Sequence, residues 1–188
     1  MYQNHDVPPD YLKKWQKTLN VVAEVLNVPA ALVMRVWPEQ IEVLVSSIGD
    51  ENPYEEHEKA DLGTGLYCET VMATRQQLMV PNALEDPEWK DNPDVKLDMI
   101  NYLGVPLLWP DNTIFGTMCV LDSQTRNYST TYQELLWQLK DLIEGDFRAI
   151  VSAGDQGAQS EEKVRALEQE INDLLTRIGQ TPRYPNSN

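Results

Sequence analysis

Between residues 10 and 27 apolar side chains recur at spacings of three and four, at Leu12, Trp15, Leu19, Val22 and Leu26. That period places them on one face of a helix. Asp10 stands where an N-cap is expected, and Pro29 lies just past the end. The pattern then changes to runs of aliphatic and β-branched residues, "AALVMRVW" and "QIEVLVSSI". Only Pro38 and Glu39 separate them, which predicts a hairpin. In the second run Ile41, Val43 and Val45 alternate with Glu42, Leu44 and Ser46, as in a half-buried strand.

Residues 49–61 are polar, acidic and broken by Gly and Pro, and read as an exposed loop in which His57 is solvated. After "GTG" a short helix over "LYCETVMATRQ" turns Leu66, Val71 and Met72 toward a core, and "QLMVPNA" reads as a buried strand ended by Pro81. Residues 85–98 form a polar excursion carrying the isolated Trp89. "YLGVPLLW" and "TIFGTMCVLD" are the clearest strands, joined by Pro110-Asp111-Asn112, a hairpin turn in which proline presets φ and asparagine tolerates φ > 0. Thr130 and Gln133 have capping-box spacing, with Ser129 as the alternative cap, and open a helix with a wide apolar stripe from Leu135 to Ile150.

The order helix, two strands, short helix, strand, excursion, two strands, long helix predicts an α+β fold: a central antiparallel sheet with flanking helices. Gly154 and Gly157 predict an interruption over 153–160. Beyond it Val164, Leu167, Ile171, Leu174 and Ile178 follow the 3,4 spacing of a coiled coil and form a C-terminal coiled-coil-like helix that wants a partner. The boundaries expected are a flexible N-terminus over 1–9, a folded domain over 10–152, a linker and coiled-coil-like helix over 153–180, and a disordered tail over 181–188.

Charge narrows the range of partners. The chain of 188 residues has a formal net charge of −15, and most of the acidic excess precedes residue 150. Such a surface repels phosphate backbones and anionic lipid, so neither nucleic acid nor membrane is an expected partner. No apolar run is long enough to span a bilayer, and the first residues lack the basic start and apolar stretch of a signal peptide. With two cysteines far apart, that suggests a cytoplasmic chain with reduced thiols. Two histidines and two cysteines show no metal spacing, and no cofactor is evident.

The element order, together with "YCETVM", "VPNALEDPEW…NPDV", "YLGVPL" and "FGTMCVLD", resembles a GAF domain over about residues 10–150. More narrowly, it is similar to the GAF sensor modules that precede histidine kinase or diguanylate cyclase outputs in bacterial signalling proteins, two-component systems among them. The resemblance implies a six-stranded or similar antiparallel sheet, a pocket on one face, and terminal helices that dimerise. It also implies a homodimer whose output domain lies in cis beyond this chain or acts in trans. Some GAF domains are thiol enzymes, the free methionine sulfoxide reductases, which use several cysteines; here a third is missing. Bilin-binding members have an Asp-Ile-Pro segment and a histidine near the cysteine, and cyclic-nucleotide-binding members an "NKFDE"-like motif; this chain lacks both sets.

The expected function is therefore a sensory module that binds a small molecule or relays a partner's state. The alternatives are a thiol reductase using Cys68 and Cys119, and a ligand-free dimerisation scaffold. Cys68 sits near a helix start, which favours the thiolate, but beside Glu69, which disfavours it; a packed wall residue is the expected role. The amides of "GTG" suggest either an anion site or a plain turn. Tyr67, Cys68, Met72, Trp89, Tyr102, Met118 and Cys119 are the candidate pocket walls, with Asp91 and Asn92 as its polar groups. The competing reading puts Trp89 down on a satellite core beneath its own loop.

Overall fold

A computed structural model describes residues 5–179, with side chains given throughout 5–157 and at Arg165, Ala166 and Gln169. The chain divides into two units, 1–150 and 151–188. Helix α1 (Pro9–Leu26) is followed by strands β1 (Ala30–Val36), β2 (Gln40–Ser46) and β3 (Lys59–Asp61). Helix α2 (Tyr67–Thr74), strands β4 (Leu78–Val80), β5 (Asn101–Leu108) and β6 (Ile114–Asp122), and helix α3 (Thr130–Gly179) complete the order. The strands form one antiparallel sheet in the order β3-β2-β1-β6-β5-β4. Both predicted hairpins are present, and Asn112 takes a positive φ in the second.

α1 starts one residue early. Pro8 occupies the N-cap and Pro9 the first helical position, where a missing N–H costs nothing. Asp10 thus sits inside the first turn, favourable to the helix dipole, and is not the cap. Asn27 ends the helix in the left-handed region. Residues 5–8, expected to be flexible, are tied down: Val7 is buried and the Arg35 guanidinium donates to the His5 carbonyl at 3.0 Å.

One face of the sheet packs on helices. Trp15, Leu19, Val22 and Leu26 of α1 are buried, and Trp15 meets Phe147 of α3 and Phe115 of β6 edge-on, at 5.7 and 6.4 Å between ring centroids. Two carboxylates of α3 fasten this layer. Asp146 accepts from Lys14 Nζ at 2.7 Å and from Trp15 Nε1 at 2.9 Å. Glu144 accepts from the Leu108 N–H at 2.9 Å and from Lys140.

The second face carries a separate apolar cluster formed by Ala30, Leu32, Met34, Ile41, Val43, Tyr102, Cys119 and Leu121 with residues of α2 and the excursion. Two irregularities set which residues face which side. The β1–β2 register slips at Leu44, and the β5–β6 register slips at Phe115. The second slip turns Phe115 toward the helices while Thr117, Cys119 and Leu121 keep to the opposite face. Gly116, between them, touches β1 so closely that a Cβ would collide with the Met34 carbonyl.

α3 runs unbroken through Gly154 and Gly157, where an interruption was expected. Each glycine costs a helix about 1 kcal/mol relative to alanine, which weakens it without ending it, and no proline intervenes. The helix includes the positions of Val164, Leu167, Ile171, Leu174 and Ile178; their side chains, and the tail over 181–188, lie outside the described residues. Among the described residues no helix is long and apolar enough to cross a membrane.

Candidate functional site

Between the second face of the sheet and the segments covering it lies a cavity of about 280 Å³. The strands supply aliphatic walls: Leu32 and Met34 from β1, Ile41 and Val43 from β2, Leu121 from β6. Leu66 and Cys68 close it from the start of α2, Pro93, Asp94 and Leu97 from the excursion, and Tyr54 from the loop after β2. Glu58, Lys59 and Ala60, all exposed, form the rim along β3.

The covering segments are held by a chain of polar contacts. Asn92 is buried; its carbonyl oxygen caps the one-turn 3-10 helix Pro93–Leu97 by accepting the Asp94 N–H at 2.9 Å. Its amide group donates to the Gly65 carbonyl at 2.7 Å, joining the excursion to the turn before α2. That capping places Asp94 at the cavity wall, where Tyr54 Oη donates to Asp94 Oδ1 at 2.8 Å. Burial pushes the Asp94 carboxyl above the usual range, and the Tyr54 bond offsets this only in part. The Tyr54 hydroxyl is pushed far up by burial, with Asp94's charge adding to it.

The Gly63–Leu66 turn is filled from within. Glu69 accepts the N–H groups of Gly63, Thr64, Gly65 and Leu66, at 2.7 to 3.2 Å. The amides that suggested an anion site therefore have a carboxylate of their own, which also serves the N-terminus of α2 in the absence of a side-chain cap from Leu66. Partial burial pushes the Glu69 carboxyl up, and the four amides together more than offset it, leaving it below the ordinary value.

Cys68 and Cys119 are both free and buried. Thr117 Oγ1 donates to Cys68 Sγ at 3.2 Å, and Cys68 Sγ lies 3.4 Å from Tyr102 Oη. Hydrogen bonding from Cys119, then from Thr117 and Tyr102, lowers the Cys68 thiol against the opposing effect of burial. Cys119 is pushed well up by the same partnership and by burial. Of the pair, Cys68 ionises first. Among the described residues no group of three or more His, Cys, Asp or Glu side chains is placed to hold a metal ion.

Of the expected wall residues, Cys68, Tyr102 and Cys119 meet at the cavity. Tyr67 lies behind it, stacked on Tyr102 at 4.8 Å, with its hydroxyl on the Met99 carbonyl. Trp89 packs on Tyr67 at 5.3 Å, folded down beneath its loop and away from the lining. Met72 is half-buried against the same cluster. Met118 belongs to the opposite face, because consecutive strand residues point to opposite sides and its neighbours Thr117 and Cys119 take the cavity side. Asp91 is exposed, one residue before the cap, and the polar wall comes instead from Asp94 and Tyr54. Asn-Pro-Asp, a cap followed by proline and an acid in the first turn, was the available signal for Asp94.

An antiparallel sheet with terminal helices on one face and a small roofed cavity on the other defines an α+β domain of sheet-and-cavity type. Residues 10–145 match the GAF domain family, and the chain belongs to it. Its fold is similar to that of the GAF domain from Acinetobacter phosphoenolpyruvate-protein phosphotransferase, at TM-score 0.61 and 17% identity over 82% of this chain and 90% of that one. It is similar to free methionine-R-sulfoxide reductase from Neisseria meningitidis in complex with its substrate, at TM-score 0.63 and 16% identity over 76% and 81%. It is also similar to the phycocyanobilin-bound GAF domain of a cyanobacterial phytochrome, at TM-score 0.58 and 11% identity over 71% and 84%. At these identities the likeness carries the fold alone. No curated protein matches the chain by sequence.

Proposed function

We propose that this GAF domain is a sensory module of bacterial signalling type that binds a small molecule in the cavity and transmits occupancy through its terminal helices. One observation carries the reading: an apolar cavity, with a single tyrosine-held carboxylate in its wall, shares the sheet with the helix layer. Alternate residues of β1 and β6 face the two sides, so a ligand pressing on Leu32 or Leu121 bears on the strands that seat α1 and α3. Transmission requires the ligand to prefer one of two arrangements of that layer.

The output is a histidine kinase or diguanylate cyclase acting in cis or in trans, and the active species is a homodimer. An apolar groove between Val21 and Val25 of α1 and Leu135 and Leu139 of α3 supports self-association, as does the heptad pattern further along α3. Native mass spectrometry of the purified chain beside its denatured mass tests both parts. A dimer carrying extra mass that is lost on denaturation is the expected result. A monomer that acquires no small molecule from cell extract would end the reading.

A second reading, thiol-dependent sulfoxide reduction, is favoured by two free thiols, Cys68 and Cys119, that both line the cavity. In it the two thiols supply two electrons, the sulfoxide oxygen leaves as water, and the resulting disulfide is returned to thiols by an external dithiol. Retention of full activity by a Cys68→Ser/Cys119→Ser double variant in a dithiol-coupled sulfoxide assay, or no activity in either protein, would remove it.

A further inference from the structure

We propose that the cavity selects a small, largely apolar molecule carrying a protonated amine, with Asp94 as its counter-ion and Tyr54 as the hydrogen bond that aims the carboxylate. The inference deepens the reading of the cavity as a ligand site and rests on it. The walls are aliphatic, so bulk shape alone favours any apolar molecule of the right size. At about 280 Å³ the space suits a metabolite rather than a drug-sized ligand.

Discrimination comes from Asp94, the acid set into the wall. Glu58 and Lys59 stand exposed at the rim, where water screens both. Asp94 is set deeper, and Tyr54 Oη is the hydrogen-bond donor its carboxylate has among the described side chains. The other polar groups around it are neutral donors or thiols: Tyr54, Tyr102, Cys68 and Cys119. Asp94's charge opposes ionisation at each of these four, so they stay neutral beside it.

A half-buried carboxylate with one neutral hydrogen bond is incompletely compensated. A neutral apolar guest would strip it further of water without replacing what is lost. An anionic guest would add repulsion at close range. An ammonium supplies both the opposite charge and N–H donors, and a charge-assisted bond of this kind is the strong one. The site is thus matched to primary and secondary amines on a small hydrophobic body.

Three near-isosteric probes test this on the full chain by titration calorimetry at 0.3 M salt, which screens surface attraction to an acidic protein: phenethylamine, 2-phenylethanol and phenylacetate. Phenethylamine is expected to bind at least about tenfold more tightly than 2-phenylethanol, with phenylacetate weakest. Asp94→Asn is expected to bring the amine to the level of the alcohol while leaving the alcohol unchanged, with a thermal melt confirming the fold. Tyr54→Phe, as a second variant, is expected to reduce the amine preference without abolishing it. Equal binding of amine and alcohol, or an amine preference that survives in Asp94→Asn, overturns the inference and leaves the cavity as a ligand site. No binding by any of the three up to millimolar concentration overturns both.

Discussion

The ring of Tyr102 lies over Gly104, two residues further along β5, so closely that a Cβ on Gly104 would run into the tyrosine's hydroxyl end. The glycine is there to let the ring lie along the strand, stacked on Tyr67 and within reach of Cys68. Gly104→Ala is expected to force Tyr102 off that position and destabilise the domain by about 1–3 kcal/mol. Thermal denaturation reads the loss. Faster alkylation of Cys68 in the same variant would show that the tyrosine has moved; an unchanged melt would mean that the contact is slack.

Glu69 holds four backbone amides, and its removal unties the Gly63–Leu66 turn together with the start of α2. Glu69→Ala is expected to cost about 1–2 kcal/mol at neutral pH. Because the folded-state carboxyl lies below its ordinary value, this stabilisation is present above about pH 4.3 and is lost as pH falls through the folded-state value. Denaturant titrations at pH 7 and pH 3 check it. A pH-independent gap between variant and wild type would assign the loss to packing.

Asp94 shows the opposite sign. Burial raises its folded-state pKa, so the ionised group costs stability at neutral pH, and that cost fades as pH falls through the folded-state value toward the unfolded value near 3.9. Asp94→Asn is expected to stabilise the chain by about 0.5–1 kcal/mol at pH 7, with the gap closing by about pH 4. Melting curves across that interval measure it. A variant less stable at pH 7 would mean that the carboxylate contributes to the fold itself.

Trp89 covers Tyr67 and contributes buried area where the cavity has no wall of its own. Trp89→Ala is expected to cost about 3 kcal/mol by the loss of that packing, and Trp89→Phe to recover most of it. The midpoint of urea unfolding reports both. Full stability in Trp89→Ala would place the indole on a loop that the core does not need.

The cysteine pair predicts an order of reactivity. In the native protein iodoacetamide is expected to modify Cys68 before Cys119, with both slow compared with an unfolded control because both are buried. The Cys68 rate is expected to persist to lower pH than that of a free cysteine, whose pKa is about 8.5. Peptide mapping after timed labelling decides. Cys119 reacting first would reverse the assignment of the thiolate.

Elements with a clean period were legible from the chain alone: α1 from its 3,4 spacing, and the β5–β6 hairpin from two apolar runs around Pro110-Asp111-Asn112. β3 was not, because Lys59-Ala60-Asp61 is exposed throughout and an edge strand of that length leaves no hydrophobic pattern. The unbroken α3 was missed since two glycines weigh heavily in a local reading and lightly in a long helix. Cys68, Tyr102 and Cys119 were legible as separate wall candidates but not as neighbours, since nothing in the spacing brings α2 onto β5 and β6, and Asp94, within a polar stretch, was marked only by the Asn-Pro-Asp cap. Naming both Met118 and Cys119 as walls disregarded the two-residue period, which the sequence itself could have corrected.

The slip at Phe115 leaves β6 written in two phases, one for the residue before Gly116 and another for those after it. Point changes on either side of the slip alter a single layer, but adding or deleting one residue between 114 and 117 would exchange the layers for the rest of the strand. Diversification of this cavity must therefore proceed by substitution at fixed length, and a chimera that borrows β6 from a relative has to import the slip with it.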